Sequence, residues 1–220
     1  MKKSFDHIAR LYQPLEYLLL GRTLERARFS HLQCLRNARR VLVLGEGDGR
    51  LLSRLLSLAP RCQVDVVERS ARMLARARTR VDSSRVNWLH TDAMQTDWTT
   101  HISKPPDVII TAFFLDCFSE AKLTELMDRL YRQLCPGGMW LNVDFAIPSS
   151  GWRRWHARMW LSVLYRAFGA LTDIDARELV ETGRQFRSLG MTREHYRSLH
   201  AELVFSEIWR KPGTPCLLSP

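Results

Sequence analysis

The segment Gly45-Glu46-Gly47-Asp48-Gly49-Arg50 has the residue types of a ligand-cradling turn. Its glycines permit a tight bend and let a ligand approach backbone N–H groups at the start of a helix. Without a ligand, the same glycines would make an ordinary strand-to-helix turn. Glu68 lies 19 residues beyond Gly49. A carboxylate at that distance can accept the hydrogens of both ribose hydroxyls. The spacing is G-x-G-x-G, and Arg50 stands where a dinucleotide fingerprint would place its third glycine. The pattern G-x-x-x-x-G-K-[ST] is absent as well, so neither pyrophosphate nor triphosphate binding is indicated.

Such side chains need elements to hold them. Val41 to Leu44 is short, rich in β-branched residues and ends at Gly45, which predicts a strand buried on both faces. Arg50 to Leu58 carries Leu51, Leu52, Leu55 and Leu56 at helical spacing and is stopped by Pro60. Val64–Val67, Val86–Leu89 and Asp107–Thr111 read as three more strands. Ser70 is placed to cap a helix holding Met73, Leu74 and Ala77, and Ser119 to cap one holding Leu123, Leu126, Met127, Leu130 and Leu134. Pro136-Gly137-Gly138 turns the chain into a fifth strand, Met139–Phe145. Beyond it, Gly151 to Phe168 reads as a helix, and another runs from Asp173 or Asp175 to about Leu189, ended by Gly190. Thr192–Leu199 and Leu203–Trp209 are spaced to pair as an antiparallel hairpin at the sheet edge. Strands alternating with helices imply βαβ units, an α/β doubly wound parallel sheet and helices on both faces. Ligands of such sheets bind beyond the carboxyl ends of the strands.

This combination resembles the class I S-adenosylmethionine-dependent methyltransferases. Thr91-Asp92-Ala93 follows the third strand, where that family places an acid toward the adenine amino group. Leu134-Cys135-Pro136-Gly137-Gly138 is similar to the family's L-x-P-G-G turn, and the closing hairpin to the reversed last strand of its Rossmann-like seven-stranded sheet. Phe5-Asp6-His7-Ile8-Ala9-Arg10-Leu11-Tyr12 resembles the F-D-x-x-A-x-x-Y lead-in of the ubiquinone/menaquinone-type (type 11/12-like) members, with Gln13 where those carry an Asp. The resemblance implies S-adenosyl-L-methionine as cofactor and S-adenosyl-L-homocysteine as product. It places the cofactor against Gly45, Glu46, Gly47, Asp48, Gly49, Glu68, Arg69, Met73, Asp92, Ala93, Thr111, Ala112 and Phe113. The reacting methyl would lie near the end of the fourth strand, making Asp116 a candidate base, with Tyr12 and His7 as candidate catalytic groups from a lid. Val43 is a departure, since the family usually has an acid two residues before the first glycine. Glu46 or Asp48 would then supply the negative charge from inside the loop.

The 33 lysines and arginines against 23 acids give a net charge of +10, which favours an anionic partner. Nucleic-acid methylation suits the charge but not the site: Ala112-Phe113-Phe114-Leu115 is unlike the N/D-P-P-Y/F motif of base-nitrogen enzymes. An RNA methyltransferase, an aminopropyltransferase-like enzyme and a non-catalytic cofactor-binding protein remain as alternatives. The segment 151–168 places Arg153, Arg154, Arg158 and Arg166 beside Trp152, Trp155 and Trp160, a composition able to cover a lipophilic acceptor or rest on an anionic membrane. The five cysteines are scattered without a CxxC pair, so neither a metal site nor a disulfide framework is expected. No apolar run reaches membrane-spanning length and the start lacks a signal-peptide pattern, which suggests a cytoplasmic protein. The expected organisation is an N-terminal helical lid at 1–37, a cofactor-binding domain at 38–211 with a cover helix inserted at 151–170, and a tail at 212–220. The expected activity is metal-independent methyl transfer to a small, lipophilic or aromatic acceptor.

Overall fold

A computed structural model describes residues 22–81, 84–102, 104–146, 180–200 and 202–214. Its strands are β1 (Arg40–Leu44), β2 (Gln63–Glu68), β3 (Val86–His90), β4 (Val108–Ala112), β5 (Met139–Phe145), β6 (Thr192–Leu199) and β7 (Val204–Arg210). They form one seven-stranded sheet in the order β3-β2-β1-β4-β5-β7-β6. The first five are mutually parallel, while β7 runs antiparallel to both β5 and β6. The chain winds outward through β2 and β3, then crosses back to lay β4 on the other side of β1. The order therefore reverses between β1 and β4, and a crevice opens there at the strand ends.

The central strands are buried on both sides because the side-chain period of a strand is two. Val41 and Val43 of β1 point into one core, with Leu51, Leu52 and Leu55 of α2 (Arg50–Leu58) and Leu24 and Ala27 of α1 (Thr23–Phe29). Leu42 and Leu44 point into the other, against Leu123, Leu126, Met127 and Leu130 of α5 (Glu120–Gln133) and Phe186 of α6 (Thr182–Ser188). Two further helices, α3 (Ala71–Arg80) and the single turn α4 (Trp98–His101), follow β2 and β3.

The starts of α2, α3 and α5 match the sequence reading, whereas the helix expected to run through to Leu189 is interrupted: Val180 and Glu181 are not helical, and α6 begins at Thr182. Ser70 accepts the Met73 N–H and caps α3 as expected. Ser119 occupies the N-cap of α5, yet its hydroxyl makes no capping bond, which corrects the expectation. Its backbone carbonyl, by contrast, accepts the Leu123 N–H. Gly190, at φ +75°, ends the α6 region as its backbone freedom allows. Residues 173–179 of the expected helix, the cover helix at 151–168, and His7 and Tyr12 of the lid lie outside the described residues.

Candidate functional site

The glycine turn joins β1 to α2 at the carboxyl edge of the sheet. Gly45, Gly47 and Gly49 have φ of +67°, +69° and +87°, a region that side chains disfavour. The three glycines then do different work. A Cβ on Gly45 would stand 2.6 Å from the Phe114 ring, and one on Gly49 would stand 2.9 Å from the Ala77 Cα of α3. A Cβ on Gly47 would meet nothing within 4 Å, so space is open over the middle of the turn. Gly45 thus admits an aromatic ring, Gly49 lets α3 pack close to α2, and Gly47 faces room for a ligand.

The loop acids separate in the same way. Asp48 is engaged by Arg50 at 3.1 Å and Arg80 at 3.4 Å. Glu46 turns inward: its Oε1 accepts the Leu52 N–H at 2.9 Å, in the first turn of α2. Its Oε2 is buried and, among the described residues, meets no hydrogen-bond partner. Burial pushes the Glu46 carboxyl up to about 8, against the pull of the Leu52 N–H and of Arg28. Arg28, on α1, lies over the Phe113 ring at 5.0 Å and so brings the N-terminal helix to this edge.

Glu68 ends β2 and ties the turn to the next helix. Its Oε2 accepts the Gly47 N–H at 3.1 Å and its Oε1 the Ser70 N–H at 2.8 Å. Each carboxylate oxygen has a second lone pair, which leaves capacity for ribose hydroxyls. Burial raises its pKa, opposed by those same backbone donors. Asp92 folds back on the loop after β3, accepting the Met94 N–H at 2.9 Å, and pairs with Arg69 at 3.6 Å. Met73 and Ala93 are buried beside these groups, on α3 and in that loop.

Sequence reasoning missed the residue that fixes the loop after β3. Arg129 reaches from α5 to donate to the carbonyls of Met94 and Thr96, both at 2.6 Å. Nothing in a helical arginine's spacing signals such a partner. Arg129→Ala is expected to weaken cofactor binding roughly tenfold, since hydrogen bonds to a charged group contribute about 1.5–3 kcal/mol. Titration calorimetry checks this, and unchanged affinity would show that the loop holds itself.

At the end of β4 the chain is strained. Phe113 has φ +55°, uncommon for a residue with a Cβ, while its N–H donates to the Val143 carbonyl at 2.7 Å. Its ring packs on Phe145 at 5.0 Å, and Phe114 meets Phe118 edge-on at 5.2 Å. Ala112 is half-buried at the strand's end. Thr111 is fully buried; its hydroxyl donates to Asn142 Oδ1 at 3.1 Å and accepts from the Trp140 Nε1–H at 2.9 Å. It belongs to a polar row crossing the sheet, since Thr111, Asn142 and Glu207 are register partners and Asn142 also donates to Glu207 at 3.2 Å.

Asp116, 8% exposed, sits just past Phe114 and meets a second carboxyl that sequence reasoning did not single out. Asp144, 2% exposed near the end of β5, accepts the Asp116 N–H at 3.1 Å through Oδ2. Burial, followed by the charge of Asp116, drives the Asp144 carboxyl well above the usual range. A carboxylate in an otherwise apolar strand was the available signal. Cys117 Sγ lies 3.6 Å from Asp116 Oδ1, and burial raises its thiol too.

The geometry can be set beside known proteins. A family described as a methyltransferase domain matches residues 41–138. An uncharacterized methyltransferase of Mycobacterium tuberculosis is 30% identical over 122 residues, which cover 56% of this chain and 58% of that protein. A Mycobacterium bovis counterpart matches equally, so the chain spans 58% of the length of the curated relatives it matches. The solved N-methyltransferase NodS of Bradyrhizobium japonicum, in complex with S-adenosyl-L-homocysteine, superposes with a TM-score of 0.63 at 19% identity, over 86% of this chain and 88% of that one. An O-methyltransferase family protein of Burkholderia thailandensis gives 0.67 at 18% identity, over 94% of this chain and 58% of that one.

Proposed function

We propose that this chain, whose residues 41–138 match a family described as a methyltransferase domain, is a class I S-adenosylmethionine-dependent enzyme that methylates a small-molecule acceptor. The observation that carries the reading is the open space over Gly47 in a turn that Glu68 anchors at the β1/β4 reversal. The residues present suit the cofactor. Glu68 has lone pairs for the ribose, Asp92 is the acid that would meet the adenine amino group, and among the described residues the buried Oε2 of Glu46 lacks a partner. Glu46, Glu68, Asp92, Asp116 and Asp144 also gather five carboxyl groups at one edge of a chain whose net charge is +10. That favours a cation at this edge, and bound S-adenosylmethionine supplies an electrophilic methyl group on a positively charged sulfur.

The protein's own part is alignment and proton handling. The partly buried pairs Phe113–Phe145 and Phe114–Phe118 supply aromatic rings around the end of β4, which supports a flat, apolar acceptor. Asp116, paired with Asp144, takes the proton that a hydroxyl acceptor must lose as its oxygen is methylated. Tyr12, His7 and the Trp- and Arg-rich segment 151–168 remain proposals for the cover of that acceptor. Among the described residues no helix is long and apolar enough to cross a membrane.

Titration calorimetry with S-adenosylmethionine and S-adenosylhomocysteine tests the reading. Saturable binding of both at micromolar concentration is expected. Failure of the folded protein to bind either would overturn it.

A further inference from the structure

Among the described residues, Glu46 Oε2 is buried in the glycine turn without a hydrogen-bond partner. Buried polar atoms in folded proteins are almost always hydrogen-bonded, so an orphan in a turn with open space beside it points to a missing partner. The other carboxyl oxygen, Oε1, already satisfies the Leu52 N–H of α2, so the carboxyl is held in one orientation. The neighbouring Asp48 is bound to Arg50 and Arg80 and cannot take the same part without breaking both pairs. Val43, two residues before Gly45, brings no charge.

We infer that Glu46 receives the ammonium group of the cofactor's methionine moiety on Oε2 and releases a proton to solvent as it does so. The inference rests on the methyltransferase reading and names one contact within it. Before binding, the carboxyl is mostly protonated, because burial holds it up to about 8. The charged groups acting on it are Arg28 from α1, Asp48 in its own loop and Glu68 from β2, alongside the Leu52 N–H from α2. Arg28 favours ionisation, and the two carboxylates oppose it. An ammonium arriving at Oε2 adds the missing positive charge. The O–H bond of the carboxyl breaks, its proton passes to the buffer, and the carboxylate accepts an N–H from the ammonium, which keeps all its hydrogens.

The proton released distinguishes this contact from simple docking. An α-amino group stays protonated below about pH 7.7, so the test runs from pH 6 to 7.5. Calorimetry of S-adenosylhomocysteine binding in phosphate and in Tris gives the number of protons exchanged. Wild type is expected to release about one proton, and its affinity to rise about tenfold per pH unit over that range. Glu46→Gln keeps an acceptor for Leu52 but has no proton to lose; its release should vanish and its affinity become flat with pH. Asp48→Asn removes a charge that opposes Glu46 ionisation, so it should still release a proton, though a smaller fraction of one. Binding by wild type without proton exchange, or exchange that persists in Glu46→Gln, overturns the inference while leaving the methyltransferase reading in place. Should Glu46→Gln not fold, wild type and Asp48→Asn decide: release that Asp48→Asn abolishes overturns the inference. Absence of any binding overturns both.

Discussion

Gly49→Ala is expected to destabilise the protein by about 2–5 kcal/mol, the largest stability effect among the loop glycines. Two independent terms add. At φ +87° a residue with a Cβ is strained by roughly 1–2 kcal/mol. The new Cβ would also lie 2.9 Å from the Ala77 Cα and 3.2 Å from the Ala77 carbonyl oxygen. A backbone atom cannot swing aside as a side chain can, so α2 and α3 must separate, and overpacking of this kind costs about 1–3 kcal/mol. For a domain of this size the melting temperature should fall by roughly 5–15 °C. Gly47→Ala is the control, since it carries the backbone strain without a clash. Its loss should stay near 1–2 kcal/mol. Equal losses at the two positions in urea unfolding would show that the helices have room to spare.

Asp116→Asn is expected to lower kcat by roughly 10²- to 10⁴-fold, the range that a positioned base contributes. The amide can still accept from Cys117 and hydrogen-bond Asp144, so the fold and KM should change little. Stability gives a second readout with a definite sign. Asp144 has a raised pKa in the folded state, caused first by burial and then by Asp116. Its proton is therefore held more tightly folded than unfolded, and stability declines as pH rises from the unfolded carboxylate range through the folded value. Removing the neighbouring charge weakens that decline. Asp116→Asn should thus be at least as stable as wild type at pH 8 while being far less active. A kcat within threefold of wild type would remove Asp116 from the proton path.

Local chemistry made much of this site legible. The turn at Gly45–Gly49, the carboxylate at Glu68 and the loop at Asp92 are sequence-local features, each placed by the strand before it. The bounds of α2 and β5 agree with periodicity because their apolar residues have one helical stripe or one alternating pattern each. Ser119 shows the limit: residue type allowed a cap, but the rotamer needed to make one depends on what surrounds it.

Pairings between distant segments could not be read in this way. Asp144 stands 28 residues beyond Asp116, and Arg129 stands 35 beyond Met94; no periodicity links either pair. Nor did the sequence say which loop acid stays available, since Asp48 is neutralised by Arg80 from a separate helix. By itself the sequence determined the doubly wound architecture, because apolar period and glycine placement are properties of neighbouring residues. Only the tertiary structure decided which carboxyls are buried together, which are paired off and which, among the described residues, is left without a partner. Those states depend on desolvation and on charges brought within a few ångströms by the sheet order.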